Sequence, residues 1–148
     1  MSDAIALAAR RSLTIERRLA APPQKVFSAW TNPLEITRWF GPARAEALSA
    51  EADARVGGRY RVGFRTPDGE QHEVGGVYLE VVPDRKLAFT WAWRSTPERE
   101  SLVTVLLEGD GGGTVLTLTH EQFFDEAARD RHLGGWTATL DKLEAYFA

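Results

Sequence analysis

Apolar and polar positions alternate along most of this chain, and the alternation gives way to a helical spacing only near the two ends. Leu13, Ile15 and Leu19 alternate with Thr14, Glu16 and Arg18, which predicts a first strand. Pro22-Pro23 then opens a helix, where proline fits the first turn, and Val26, Phe27 and Trp30 form its inner side. Asn32-Pro33 interrupts that helix, because the residue before a proline disfavours the helical conformation. A second short helix over Leu34–Phe40 stops at Gly41-Pro42, and one weakly patterned strand is expected within Ala43–Ala54.

Beyond Gly57-Gly58 the period of two is clear. Tyr60, Val62 and Phe64 alternate with arginines, Pro67-Asp68-Gly69 makes a hairpin turn, and His72–Val82 forms the next strand. A bulge or bend is expected at Gly75-Gly76. Leu87, Phe89, Trp91 and Trp93 share one face of a further strand, and Val103, Val105 and Leu107 mark the one after the polar loop Ser95–Glu100. The run from Gly109 to Gly113 is a flexible hairpin loop, and Leu116, Leu118 and His120 face inward from the last strand. Asp125 caps a long C-terminal helix whose stripe is Leu133, Trp136, Leu140, Leu143 and Phe147. Gly134-Gly135 inside it costs roughly 1 kcal/mol per glycine relative to alanine, which predicts a close backbone approach or a kink. The order is α+β: an antiparallel sheet with helices on one side. Residues 1–11 read as a loose or helical N-terminal extension and residues 12–148 as one domain.

Composition narrows the function by exclusion. Lys plus Arg is 18 and Asp plus Glu is 21, a formal charge of −3, which leaves no basic footprint for nucleic acid or anionic lipid. With 0 cysteines there is no disulfide framework, thiolate zinc site or cysteine nucleophile, a usage compatible with the cytoplasm. No apolar stretch approaches the ~20 residues that span a bilayer, so no membrane insertion is expected.

The motifs in their order resemble the START-like, helix-grip superfamily, and within it the family named after the activator of heat-shock protein 90 ATPase. The resemblance runs through Ala21-Pro22-Pro23, Val26-Phe27-Ser28-Ala29-Trp30-Thr31, Trp39-Phe40-Gly41-Pro42, and Asp53 followed by Arg55-Val56-Gly57-Gly58-Arg59-Tyr60. It continues through Gly76-Val77-Tyr78-Leu79-Glu80-Val81-Val82-Pro83, Leu87-Ala88-Phe89-Thr90-Trp91, Leu118-Thr119-His120 and Gly135-Trp136 with Leu140 and Leu143. It implies a curved sheet of about seven strands gripping the C-terminal helix round a largely apolar cavity. It does not imply one activity: relatives include lipid carriers, hormone receptors, polyketide cyclases and co-chaperones. The eukaryotic co-chaperone carries a separate N-terminal domain for which this chain has no room, so a chaperone partner is not expected.

The expected function is binding of a small hydrophobic or aromatic ligand in an internal cavity, with no cofactor and no metal. Its candidate lining is Trp39, Phe40, Phe64, His72, Tyr78, Phe89, Trp91, Trp93, His120, Trp136 and Leu140. Five tryptophans supply much of that surface. His120, inward on its strand, reads either as a polar anchor or general base, or as a hydrogen-bonded core histidine. Glu80 is an acid of the cavity if its strand faces inward. A cyclase- or hydrolase-like enzyme using His120 or Glu80 is therefore the alternative function, and a chaperone ATPase stimulator the third. His72 belongs either to the opposite wall or to a solvated strand face, and His132 to the exposed side of its helix. Trp30 and Trp39 read as core anchors; Arg55 and Arg59, beside Gly57-Gly58, as surface ion pairs or an anion contact at the mouth. The chain has no Gly-x-Ser-x-Gly elbow, no phosphate loop and no regular histidine spacing, so no catalytic residue is assigned. An exposed sheet edge would allow a homodimer.

Overall fold

The computed structural model describes residues 3–148. An N-terminal helix α1 (Asp3–Arg10) precedes strand β1 (Leu13–Leu19); α2 (Pro23–Thr31) and α3 (Pro33–Trp39) follow. Six strands come next: β2 (Glu46–Ala52), β3 (Arg59–Arg65), β4 (Gln71–Val82), β5 (Lys86–Trp93), β6 (Ser101–Asp110) and β7 (Gly113–Glu121). The chain closes with α4 (Glu126–Tyr146). The seven strands form one antiparallel sheet in the order β1-β7-β6-β5-β4-β3-β2. It is the helix-grip arrangement: a meander bent round α4, with the first strand returned to the far edge beside β7.

Local chemistry explains the breaks. Pro23 and Pro33 each sit in the first turn of their helix, and the Asn32 side chain accepts from the Leu34 amide to cap α3. Asp125 does the same for α4, accepting from the Ala128 amide at 2.8 Å. Val62, Val74, Leu87, Val103, Leu116 and Leu118 line the concave face of the sheet, and Trp136, Leu140 and Leu143 of α4 are buried against it.

Two glycine pairs differ from expectation. The register of β4 against β5 slips between Tyr78 and Glu80, so the bulge lies at Leu79 and not at Gly75-Gly76. Those glycines instead let strands approach: a Cβ at Gly76 would stand 2.0 Å from the Thr90 carbonyl oxygen, and one at Gly75 would stand 2.7 Å from that of Tyr60. Gly134 and Gly135 show the reverse, with nothing within 4 Å of a Cβ at either position. The helix there faces open space, not a closely approaching backbone.

The two pairs predict opposite responses. Gly134→Ala should raise the stability of the fold by about 0.5–1 kcal/mol, since helix propensity improves and nothing is displaced. Gly76→Ala should lower it by more than about 2 kcal/mol through overpacking against the β5 backbone. Urea unfolding of the two variants measures both signs; a Gly134→Ala variant less stable than the parent would contradict the open space at that position.

Candidate functional site

Two indoles of β5 and one of α4 meet on the concave face, and two histidines receive their N–H groups. Trp91 and Trp93, two apart on β5, point the same way and both donate from Nε1 to Nε2 of His132, at 3.3 and 2.9 Å. His132 Nδ1 lies 2.7 Å from the Ala128 carbonyl one turn earlier, so that nitrogen carries the proton and Nε2 is the acceptor. Trp136 donates to His120 Nδ1 at 2.9 Å; His120 Nε2 therefore carries its proton and donates to Ser101 Oγ at 2.7 Å. Ser101 in turn donates to the Trp91 carbonyl. Every nitrogen of both imidazoles is thus engaged, and both rings are neutral.

Burial holds both imidazoles below the ordinary histidine range. For His120 the neighbouring His132 adds to the effect; for His132 the Arg131 charge adds, while the bond to Ala128 opposes. The two ring centroids are 5.2 Å apart. His120 is fully buried and has no free nitrogen to offer a substrate, so it is a hydrogen-bonded core histidine and not a general base. Glu80 points away from the interior, exposed and paired with Lys86 Nζ at 2.9 Å, which removes the other candidate acid. His132 was expected on the solvent side of its helix and instead faces the sheet.

The interior beneath these rings is packed. Trp30 lies 4.7 Å from Trp39 and 6.1 Å from Trp136, centroid to centroid, and Phe40 lies 6.1 Å from Trp91. A void of about 30 Å³ remains among Trp39, Tyr78, Phe89 and their neighbours, room for about one water. Leu140 and His120 line neither the cleft nor this void; both are fully buried. Burial pushes the Tyr78 hydroxyl up to about 12, so it stays neutral. The expected enclosed chamber is therefore filled by its own aromatic side chains.

An aromatic-lined opening lies at one end of the grip. A cleft of about 450 Å³ runs between α4 and the ends of β3, β4 and β5, bounded by the α3–β2 turn at Gly41-Pro42. It brings together Phe40, Phe64, His72, Trp91, Trp93 and Trp136 from the candidate set, and leaves out Trp39, Tyr78 and Phe89, which line the small void. Thr66, Ser95, Arg131, His132, Gly135 and Thr139 complete the wall. Thr139 Oγ1 donates to the Gly41 carbonyl at 2.9 Å, fixing the turn to the helix. Lys142 donates to the Pro42 carbonyl at 3.1 Å and adds to the same clamp. The sequence reading missed these α4 residues because it followed Leu133 and Phe147. Ala128, His132, Trp136 and Leu140, at steps of four, form a second stripe that marks the face turned to the sheet. Arg55 and Arg59 lie outside the cleft; Arg55 pairs with Asp53 at 2.8 Å.

With this geometry in view, the sequence itself can be compared. Residues 20–148 match the family described as Activator of Hsp90 ATPase homolog 1-like protein. The chain belongs to that family. A crystal structure of a protein from Chromobacterium violaceum superposes with a TM-score of 0.84 at 29% identity, covering 93% of this chain and 96% of that one. The AHSA1 protein from Silicibacter pomeroyi gives 0.81 at 28% identity, covering 91% and 96%. An AHSA1-like protein from Aeromonas hydrophila, at 23% identity and a TM-score of 0.78 over 91% and 90%, shares the fold. No curated protein matches the sequence. Among the described residues no helix is long and apolar enough to cross a membrane, and no group of three or more histidine, aspartate or glutamate side chains is placed to hold a metal ion.

The neutral histidines of this AHSA1-like domain predict acid lability. Unfolded, each takes up a proton near pH 6.5; folded, each does so only at lower pH. The unfolded state therefore binds more protons as pH falls below about 6.5, and the stabilisation present above that value is lost. Urea unfolding free energies should drop between pH 6.5 and 5, and His132→Gln should flatten that slope by removing one of the two groups. A slope unchanged by His132→Gln would mean that the imidazole is not held neutral by the indoles.

Proposed function

We propose that the cleft between α4 and β3–β5 binds a small apolar or aromatic molecule, reversibly and without covalent chemistry. The observation that carries this reading is the aromatic wall itself: Phe40, Phe64, Trp91, Trp93 and Trp136 around about 450 Å³, within the range of small-molecule sites. A stable protein interface needs about 1,000 Å² of buried surface, and a concavity of this kind suits a compact guest better than a chaperone surface. The polar groups of the floor are already satisfied, so it favours an apolar body that demands no hydrogen bonds there. The groups proposed for acid–base work do not support an enzyme, since His120 has no free nitrogen and Glu80 faces outward. The lack of cysteine fits a reducing compartment such as the cytosol, and the edge strands β1 and β2 are where a second copy would add to the sheet.

Gly135 supplies the test. It lines the cleft, and a Cβ there has no neighbouring atom within 4 Å beyond its own helix. Gly135→Leu should leave the melting temperature equal to or above that of the parent while filling the cleft. A ligand found by thermal shift against hydrophobic metabolites, and seen as a change in tryptophan emission, should bind Gly135→Leu at least about tenfold more weakly, the equivalent of ~1.4 kcal/mol. A ligand that binds the blocked variant as well as the parent, or a parent that answers to no member of the library, would defeat the proposal.

A further inference from the structure

The cleft is polar at one end only, and that asymmetry bears on what its guest must carry. This step rests on the proposed binding role of the cleft. The indole N–H groups of Trp91 and Trp93 are spent on His132, His132 Nδ1–H on the Ala128 carbonyl, and the Thr139 hydroxyl on the Gly41 carbonyl. The floor therefore presents ring faces and no free donor. The lip differs. Arg131, exposed and one turn before Gly135 on α4, borders the opening, and Ser95 borders it from the β5–β6 loop. Among the described residues Arg131 has no carboxylate within ion-pair distance. No aspartate or glutamate lines the cleft at all.

The positive charge at this lip is thus uncompensated, on a residue whose guanidinium keeps its proton at any working pH. It is near enough to the cleft wall to bear on the titration of His132. Some other arginines of the surface are paired, Arg17 with Asp141, Arg18 with Asp110 and Arg61 with Glu51, but it is Arg131 that stands at the opening. His72, across the opening, has the Thr66 hydroxyl at 3.4 Å and the Glu70 carboxylate at 3.6 Å, so the positive charge of the lip is on the Arg131 side.

We infer that the cleft selects an amphiphile with one anionic head: its flat or chain-like body lies on Trp91, Trp93 and Trp136, and its carboxylate or sulfonate meets Arg131 and Ser95 at the lip. A guanidinium forms charge-assisted, often bidentate hydrogen bonds with such a head, and the serine hydroxyl adds a neutral donor. A cationic head would meet like charge, and a neutral one would forgo the strongest donor of the site.

Two fluorescent probes that differ by the head alone give the test. The sulfonate 1-anilinonaphthalene-8-sulfonate and its uncharged counterpart N-phenyl-1-naphthylamine are titrated into the parent chain, Arg131→Gln and Gly135→Leu. The parent should bind the sulfonate more tightly than the neutral probe. Arg131→Gln should weaken the sulfonate about fivefold and leave the neutral probe unchanged, which also shows that the variant is folded. Dodecanoate should displace the sulfonate from the parent better than dodecan-1-ol does, and salt raised well above physiological strength should weaken only the anions. If both probes bind the parent equally and Arg131→Gln alters neither, the head-group inference is overturned while the cleft remains a binding site. If binding of both probes survives Gly135→Leu undiminished, the cleft is not their site, and the inference falls together with the reading it rests on.

Discussion

The helix is held to the sheet through hydrogen bonds from indoles to uncharged imidazoles. Trp91 and Trp93 reach across from β5 to His132 on α4, while Trp136 reaches back from α4 to His120 on β7. The two links run in opposite directions and are joined through Ser101 and the Trp91 carbonyl. Each buries polar atoms that would otherwise be costly inside aromatic packing, and each satisfies them completely. Apolar contact alone would allow α4 to slide along the trough. These directional bonds fix its rotation and depth, and with them the width of the cleft beside it.

That constraint also explains where the open space is. Between Trp30, Trp39, Phe40, Trp91 and Trp136 the rings are in contact and the interior is nearly solid. Along the cleft the helix presents Gly135, which puts no side chain into the opening, and the wall recedes. A curved sheet does not by itself make a chamber: five large indoles in a domain of this size take up most of the volume it would enclose. The cleft is what remains where glycine interrupts the aromatic lining.

Most of the fold was legible in the sequence. Period-two alternation marked the strands from β3 to β7, prolines and Asn32 marked the short helices, and Asp125 marked the start of α4. The chemistry of the site was less legible. His132 looked solvent-facing because the helical stripe through Leu133, Trp136, Leu140, Leu143 and Phe147 starts at Leu133, whereas the buried face continues from Trp136 back one turn to His132. A histidine turned toward the interior is recognisable only when its partners are known, and those partners are on β5, some forty residues away in the chain. Glu80 was ambiguous for a related reason: the bulge at Leu79 changes which residues of β4 face inward, and the broken alternation between Tyr78 and Val81 signals the irregularity without giving its direction. Likewise, nothing in Gly75-Gly76 and Gly134-Gly135 as dipeptides separates a pair that admits a neighbouring strand from a pair that faces open space.

The division between a self-satisfied floor and an unpaired lip has a consequence for how such a protein can diversify. The aromatic floor doubles as the scaffold that locks helix to sheet, so changes there would endanger folding itself. Ser95 and Arg131 carry no such burden and can be exchanged freely. The doorway can therefore be rewritten while the room behind it stays as it was.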